Sequence, residues 1–161
     1  SYNLPVATIR PFNSYGPRQS ARAVIPTIIT QALAGGYVRL GSLYPKRDFT
    51  FVSDTVDGFI KVSESKGAIG KVVNVGSGIE ITIEGLVDKV AKILGKRIKT
   101  VAEEKRARPK NSEVMRLLAD NRRAKKLTGW EPKICLEEGL RLTIDWIKNN
   151  LTFYKKNIYN I

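Results

Sequence analysis

The sequence contains no histidine at all and only one cysteine, Cys135, among its 161 residues. Without histidine, neither a Ser-His-Asp nor a Cys-His nucleophilic centre can form within these residues. A single cysteine cannot form an internal disulfide, and no Cys/His cluster has the spacing of zinc ligands. Structural zinc is therefore not expected, and any proton transfer within these residues must use another group.

Long apolar runs are also missing. No stretch approaches the roughly 20 apolar residues of a membrane span. Ser1 opens directly into a predicted strand rather than into a basic and then apolar leader. We expect a cytoplasmic protein with no membrane partner. The 42% hydrophobic content is enough for one globular unit with a buried core.

Acidic residues are few: 15 Asp and Glu stand against 28 Lys and Arg, which gives a net charge of +13. Three explanations stay open. The charge could bind nucleic acid, it could include a few arginines that converge on a small anion such as a nucleoside diphosphate, or a more acidic part of the protein could lie outside this sequence. Only 8% of residues are aromatic and no RNP, KH or zinc-finger pattern is present, which argues against the first.

Two predicted strands end in polar, glycine-containing sequence. Residues 4–9 form an apolar, β-branched run, and a polar loop at residues 13–18 (NSYGPR) is predicted to follow it. Residues 71–75 form a second buried strand, which stops at Gly76-Ser77-Gly78. Ligands of open α/β sheets bind just past the carboxyl ends of strands, so the first loop is a candidate site, with a solvated turn as the alternative.

Helical spacing and capping residues predict the remaining elements. Helices are predicted at residues 27–33, about 53–65, 82–94, 121–127 and 136–147, and short strands at 38–40, 48–52 and 98–102. The second helix is predicted to bury Val56, Phe59, Ile60 and Val62. Two strands buried on both faces are too few for a complete parallel sheet, so the pattern indicates the later part of a larger doubly wound protein.

Four sequence blocks resemble, in the same order, the extended short-chain dehydrogenase/reductases that act on nucleotide sugars. They are RPFNSYGP at 10–17, RDFTFVSD at 47–54, VNVGSG at 73–78, and ADN at 119–121 with GWEP at 129–132. Residues 18–27 (RQSARAVIPT) most resemble NAD-dependent 4,6-dehydratases of N-acetylglucosamine nucleotides, and UDP-glucose 4-epimerases are close relatives.

The resemblance implies an α/β fold: the C-terminal part of a doubly wound Rossmann-type extended enzyme, with late core strands and a small α+β substrate-binding domain. It implies that residues 1–35 and 54–95 belong to the core, and residues 36–53 and 96–161 to the substrate-binding subdomain. In the family, a glycine-rich dinucleotide fingerprint and a Tyr-x-x-x-Lys pair precede this region. Neither pattern is present here, so no catalytic residue is assigned and this chain alone is expected to be inactive.

The resemblance also implies the site residues, and each has a plainer alternative. Asn13 would bind the sugar or diphosphate, or else stabilise a turn. Arginine side chains would clamp the diphosphate, or else lie in solvent, and these are Arg47 and Arg108. Val38 and Leu40 would lie against the nucleobase, or else belong to an edge strand. Phe12 would lie near the substrate or in the core, and Pro11 near the nicotinamide. Glu113 would accept from a ribose hydroxyl, or else face water.

The activity that the resemblance implies is NAD-dependent 4,6-dehydration of a nucleotide sugar: oxidation at C4, loss of water across C5 and C6, and return of hydride to C6. A UDP-sugar 4-epimerase is the alternative, and a basic nucleic-acid-binding module is the alternative from another class. The expected cofactor is NAD, held mainly by the N-terminal half. The expected partners are a UDP- or GDP-linked sugar and a second copy of the full-length protein, with no nucleic acid.

Overall fold

A computed structural model describes residues 4–103 and 113–154. The strands are β1 (Thr8–Pro11), β2 (Asn13–Tyr15), β3 (Tyr37–Leu40), β4 (Lys46–Phe51), β5 (Val72–Val75), β6 (Glu80–Thr82), β7 (Lys99–Ala102) and β8 (Arg116–Leu117). The helices are α1 (Val24–Ala34), α2 (Val52–Glu64), α3 (Ile83–Leu94), α4 (Arg122–Thr128) and α5 (Leu136–Asn149). No helix within the described ranges is long and apolar enough to cross a membrane.

The strands pair mostly in parallel. β1 pairs with β5, β2 with β4, and β3 with β7, all in parallel. β4 also pairs with β6 in antiparallel and with β8 in parallel, so it is the most connected strand of the described chain. The α/β class with parallel pairing is as the sequence predicts. The strands β6 and β8 are additions that the sequence patterns did not indicate.

The larger hydrophobic core lies between β4 and the helices α1, α3 and α5. Tyr15 is buried there and contacts the rings of Phe49 and Phe51 edge-on, with centroids 6.3 and 5.6 Å away. Its hydroxyl donates a hydrogen bond to the backbone oxygen of Leu136, 3.2 Å away. Burial raises the pKa of this hydroxyl. Helix α5 can approach so closely because Gly139 faces the tyrosine: a Cβ there would lie 2.1 Å from the hydroxyl oxygen.

A second, smaller core joins α2, α4 and β5. Trp130 is fully buried and its indole nitrogen donates to the backbone oxygen of Asp54, 3.0 Å away. The Asp54 carboxylate accepts from the backbone nitrogen of Ile134 at 2.9 Å. Gly58 allows α2 to pack on β5, because a Cβ at this position would lie 2.7 Å from a methyl group of Val75. These contacts tie the C-terminal helices to α2.

The helix predictions are confirmed closely where capping residues are strong. At α3 the Thr82 hydroxyl oxygen accepts from the backbone nitrogen of Gly85 at 3.0 Å, which is an N-cap hydrogen bond. Gly95 ends the helix with φ +64°, a left-handed conformation that glycine adopts without strain. Hydrogen bonds between neighbouring residues determine both ends of this helix, so the positions of the ends can be predicted from the sequence.

Three details of the sequence prediction are wrong. Residues 13–15 are strand rather than loop, because Asn13–Tyr15 pair with residues 49–51 of β4. The first strand begins at Thr8 rather than at residue 4, and three of its four residues are exposed because little of the described chain packs on the faces of the β1–β5 pair. Of the four residues predicted to be buried on α2, only Val62 is. The other three are about half exposed: Val56, Phe59 and Ile60.

Gly139 gives a direct test of the packing of α5 on Tyr15. We expect Gly139→Ala to lower the free energy of unfolding by about 1–3 kcal/mol, since overpacking outweighs the better helix propensity of alanine. Gly35→Ala is the matched control, because nothing lies within 4 Å of a Cβ at position 35. Urea denaturation measures both variants. Equal stability of the two would show that α5 does not pack in this way.

The two sides of α2 make a second test. Val62→Ala should lower the free energy of unfolding by about 1.5–3 kcal/mol, because this side chain is buried. Phe59→Ser should lower it by less, about 0.5–1.5 kcal/mol, because the ring is 45% exposed. Urea denaturation measures both effects. A larger loss for Phe59→Ser than for Val62→Ala would contradict the placement of the helix.

Candidate functional site

The carboxylate of Asp48 lies at the centre of the polar region where β1, β2, β4 and the loop after β5 meet. This side chain is fully buried. One oxygen accepts hydrogen bonds from the backbone nitrogen and the hydroxyl of Ser77 at 2.8 and 2.6 Å. The other accepts from the backbone nitrogens of Gly78 and Ala119 at 2.8 and 3.1 Å. A buried carboxylate requires donors of this kind, and backbone N–H groups supply most of them.

Glycine at position 76 allows the segments around Asp48 to meet. A Cβ on Gly76 would lie 2.2 Å from the Cβ of Ala119, 3.1 Å from an oxygen of Asp48 and 3.3 Å from the ring of Phe12. The Asn121 side-chain nitrogen donates to the backbone oxygen of Gly76 at 3.1 Å. A larger residue would separate the β5 loop from the segment before α4, so the close approach requires glycine.

Asn13 joins the start of β2 to the same centre. Its side-chain nitrogen donates to the backbone oxygen of Asp48 at 2.8 Å. The preceding residue, Phe12, is half-buried, and its backbone nitrogen donates to the backbone oxygen of Val75 at 2.9 Å. Pro11 is exposed and lies opposite Val75 in the ladder. The chain therefore crosses from one sheet to the other at residues 11–13, beside the Asp48 carboxylate.

Arg47 and Glu113, two of the residues that the sequence singled out, contact each other. The Nη2 atom of Arg47 lies 2.7 Å from an Oε atom of Glu113, and only 13% and 15% of these side chains are exposed. The Nη1 atom of Arg47 donates to the backbone oxygen of Lys46 at 2.9 Å. These two contacts fix the plane of the guanidinium, which carries further N–H donors. The pair is thus held in place next to Asp48 on β4.

Exposed ion pairs surround this centre. Glu80 accepts from Arg116 at 2.5 Å and from Lys46 at 3.4 Å, and the hydrogen bond from Arg116 lowers the pKa of Glu80. Asp120 makes a two-pronged contact with Arg122 at 2.9 and 2.6 Å, which lowers the pKa of Asp120 to about 2. Both carboxylates are therefore ionised near neutral pH.

Val38 and Leu40 lie apart from the polar centre, with their side chains buried in the larger core. The backbone oxygen of Leu40 accepts from the backbone nitrogen of Glu103 at 2.8 Å. The Gln31 side chain holds the intervening Arg39, accepting from its backbone nitrogen at 2.9 Å and donating to its oxygen at 3.2 Å. Contact of this strand with a nucleobase stays a prediction. The predicted site residue Arg108 lies outside the described residues.

Sequence reasoning missed the organising role of Asp48 and its partners. A signal was present, because Asp48 shares its predicted strand with the aromatic residues Phe49 and Phe51. If such a strand is buried, its carboxylate needs hydrogen-bond donors. The Gly76-Ser77-Gly78 segment could have been recognised as their source, since successive backbone N–H groups in glycine-rich turns bind anions.

Comparison with known proteins gives the same family throughout. The family model described as GDP-mannose 4,6 dehydratase matches residues 1–143. UDP-glucose 4-epimerase of Mycolicibacterium smegmatis is 32% identical over 152 residues, which are 92% of this chain and 47% of that protein. The chain spans about half the length of most of the curated relatives it matches.

Solved structures of both reaction types are similar to the fold. UDP-glucuronic acid 4-epimerase from Bacillus cereus, in complex with UDP-glucuronic acid and NAD, superposes with a TM-score of 0.85 at 28% identity, covering 92% of this chain and 47% of that one. dTDP-glucose 4,6-dehydratase from Bacillus anthracis str. Ames, in complex with NAD, gives 0.82 at 31% identity, covering 95% and 48%. Epimerases and dehydratases thus match about equally well.

Replacing the central carboxylate tests whether it holds the region together. Asp48→Asn should lower the free energy of unfolding by about 1–3 kcal/mol, because the amide NH₂ faces backbone donors that then lack an acceptor. Asp57→Asn is the control: Asp57 pairs only loosely with Lys61, at 3.8 Å, and its loss should cost less than about 0.5 kcal/mol. Thermal and urea denaturation measure both. Equal stability of the two variants would show that the Asp48 carboxylate does not hold these segments together.

Proposed function

This chain belongs to the GDP-mannose 4,6-dehydratase family of epimerases and dehydratases, and from that premise we propose that it binds a nucleotide sugar as part of an NAD-dependent 4,6-dehydratase. The polypeptide that contains it would oxidise the sugar at C4, eliminate water across C5 and C6, and return hydride to C6. N-acetylglucosamine nucleotides are the proposed substrates, on the similarity of residues 18–27. Membership of the family supports the reaction class, and this chain's own residues support the binding role.

The position of Arg47 is the observation that carries the binding role. A guanidinium held by Glu113 and by the Lys46 backbone has lost most of its conformational freedom before a ligand arrives. Its remaining N–H donors suit the oxygens of a diphosphate. Asn13 stands on the neighbouring strand, fixed by its bond to Asp48. We propose that Arg47 binds the diphosphate, with Arg108 as a second clamp, and that Asn13 contacts the sugar or diphosphate.

The other site residues take supporting roles in this proposal. Phe12 would border the sugar, Glu113 would accept from a ribose hydroxyl, and the backbone of residues 38–40 would contact the base. Binding energy from the nucleotide would orient the reacting sugar, since contacts remote from the reacting atoms can lower the entropic part of a barrier. The acid and base groups of the reaction are not proposed to come from this chain.

NAD is the proposed cofactor of the whole protein, supported by its presence in the two similar structures. The glycine-containing loop after β5 is not proposed as its phosphate site. The backbone nitrogens of Ser77 and Gly78, in the glycine-containing loop after β5, donate to the chain's own Asp48. That loop is therefore filled and cannot hold a pyrophosphate in the same way. Pro11 is the residue of this chain that we propose to lie near the nicotinamide, and no reaction step is assigned to it through NAD.

A UDP-sugar 4-epimerase is the second candidate, because an epimerase is 32% identical to this chain. The two reactions share contacts to the nucleotide and differ in the pocket around C5 and C6. We also propose that residues 1–35 and 54–95 belong to the nucleotide-binding core, that residues 36–53 and 96–161 form a substrate-binding subdomain, and that the full-length protein is a cytoplasmic homodimer.

Product mass separates the two reactions. The polypeptide that contains this chain, incubated with NAD and UDP- or GDP-N-acetylglucosamine, should give a product lighter by the mass of water. A product of unchanged mass with inverted configuration at C4 would establish the epimerase instead. Absence of any turnover with either nucleotide would contradict both.

The binding role is tested on the chain itself. Arg47→Ala should weaken the binding of UDP or GDP at least about tenfold, because a charge-assisted contact is worth about 1.5–3 kcal/mol. Arg141→Ala removes an exposed arginine of α5 and serves as the charge-matched control. Calorimetric titration measures both. Equal loss in the two variants, with steep salt dependence and stronger binding of oligonucleotides than of UDP or GDP, would favour the nucleic-acid module.

A further inference from the structure

A cavity of about 650 Å³ lies between the loop that follows β2 and the C-terminal end of α5. Its volume is in the range of sites for small organic ligands. The side chains that matter most for its chemistry are those of Arg18, Arg22, Trp146, Phe153 and Tyr154. None of the individual site residues proposed above lines it, although residues 18–22 of its lining belong to the segment 18–27 on which the proposed substrate rests.

The register of the β2–β4 pair separates this cavity from the candidate site. Asn13 lies opposite Phe49 and Tyr15 opposite Phe51. Arg47 precedes Phe49 on the parallel strand, so it lies towards the start of the pair. The cavity begins beyond the opposite end, where the chain leaves β2 after Tyr15. The cavity and the assigned site residues therefore lie towards opposite ends of the β2–β4 pair.

Two cations of the cavity have no anion beside them. Neither the Arg18 nor the Arg22 guanidinium makes a salt bridge or hydrogen bond within the part of the chain that the structure describes. Both arginines line the cavity, and no carboxylate is among its lining residues. This lining suits a bound anion, and the planar guanidinium suits phosphate oxygens.

The lining that comes from the C-terminal end of α5 and the residues after it is aromatic. The rings of Trp146 and Phe153 stack with centroids 6.3 Å apart and an interplanar angle of 20°. Tyr154 meets Trp146 edge-on at 6.0 Å, and its hydroxyl donates to the backbone oxygen of Gln19 at 2.9 Å. Phe153 remains 75% exposed although it is a large apolar ring. An exposed ring that continues a stack offers a platform for another flat ring.

The loop holds Arg18 in an unusual backbone conformation. Arg18 has φ +66° and is the only non-glycine residue with positive φ in the described ranges. Neighbouring bonds fix it: Gln19 donates through its side chain to the backbone oxygen of Ser14 at 2.8 Å and through its backbone to that of Gly16 at 3.3 Å. Such strained positions persist where the surroundings fix them and are frequent at ligand sites.

We propose that this cavity binds a nucleoside phosphate, with the phosphate on Arg18 and Arg22 and the base stacked on the Trp146 and Phe153 rings. The site is additional to the proposed nucleotide-sugar site. The two parts of the ligand match the two kinds of lining residue: an anion for the arginines without salt bridges and a flat ring for the exposed aromatic surface. A ligand bound in this way would contact both the loop after β2 and the C-terminal end of α5.

Titration of the chain with guanosine 5′-monophosphate tests the proposal. Calorimetry should show saturable binding, with guanosine alone and inorganic phosphate alone each at least about tenfold weaker. The chain has two tryptophans, and Trp130 is fully buried, so stacking should quench Trp146 selectively. The double variant Arg18→Ala with Arg22→Ala should weaken binding at least about tenfold, and Phe153→Ala should weaken it and reduce the quenching.

Two controls separate this site from others. Arg47→Ala alters the proposed nucleotide-sugar site and should leave the quenching of Trp146 and the affinity of the cavity unchanged. If Arg47→Ala abolishes all binding, the ligand occupies the nucleotide-sugar site and the proposal is wrong. Unchanged affinity in the double arginine variant would also overturn it, as would markedly tighter binding of single-stranded RNA than of the mononucleotide.

Arg18→Gly distinguishes a ligand contact from a purely structural role. Glycine adopts positive φ without strain, so this variant should melt at a higher temperature than the parent chain. It should nevertheless bind guanosine 5′-monophosphate several-fold more weakly. A more stable variant with full affinity would mean that the guanidinium has no part in binding.

Discussion

The buried carboxylate of Asp48 is the contact on which the described site depends. Its partners come from segments 29 and 71 residues away in the sequence, and they are held mainly through backbone nitrogens. Burial of a charge is costly unless every oxygen is satisfied, so the carboxylate is favourable only when all of these segments are in place. The positions of Asn13, Arg47 and the loop after β5 therefore depend on one another.

The sequence carried information about local structure and family, and less about long-range contacts. Thr82 and Gly95 mark the two ends of α3, because capping is decided by neighbouring residues. Asn13–Tyr15 looked like a loop since three polar residues give no strand pattern, and they are a strand only because β4 lies beside them. The spacing of apolar and polar residues within a segment does not show whether a distant strand pairs with it.

Some features of the candidate site could likewise be predicted from the sequence, and others follow only from the tertiary fold. Arg47 and Glu113 could be singled out by similarity to a family, yet their mutual ion pair joins residues 66 positions apart and follows from the tertiary fold. Asp48 was passed over because its surroundings look like an ordinary strand. The α2 side chains illustrate the converse: helical spacing correctly indicates an apolar face, but spacing alone cannot say what covers it. Phe59 and Ile60 are half exposed in the described structure.

The exposed edge of β1 has a consequence for which strands could add to it. The backbone nitrogens of Thr8 and Phe12 point towards β5, so by alternation those of Ile9 and of Pro11 point outward. Proline has no N–H, and a neighbouring strand could therefore receive a ladder bond from Ile9 but none from the next outward position. This gap in the donor row restricts the register of any strand that pairs with this edge, including one supplied by the part of the polypeptide that the proposed doubly wound core requires.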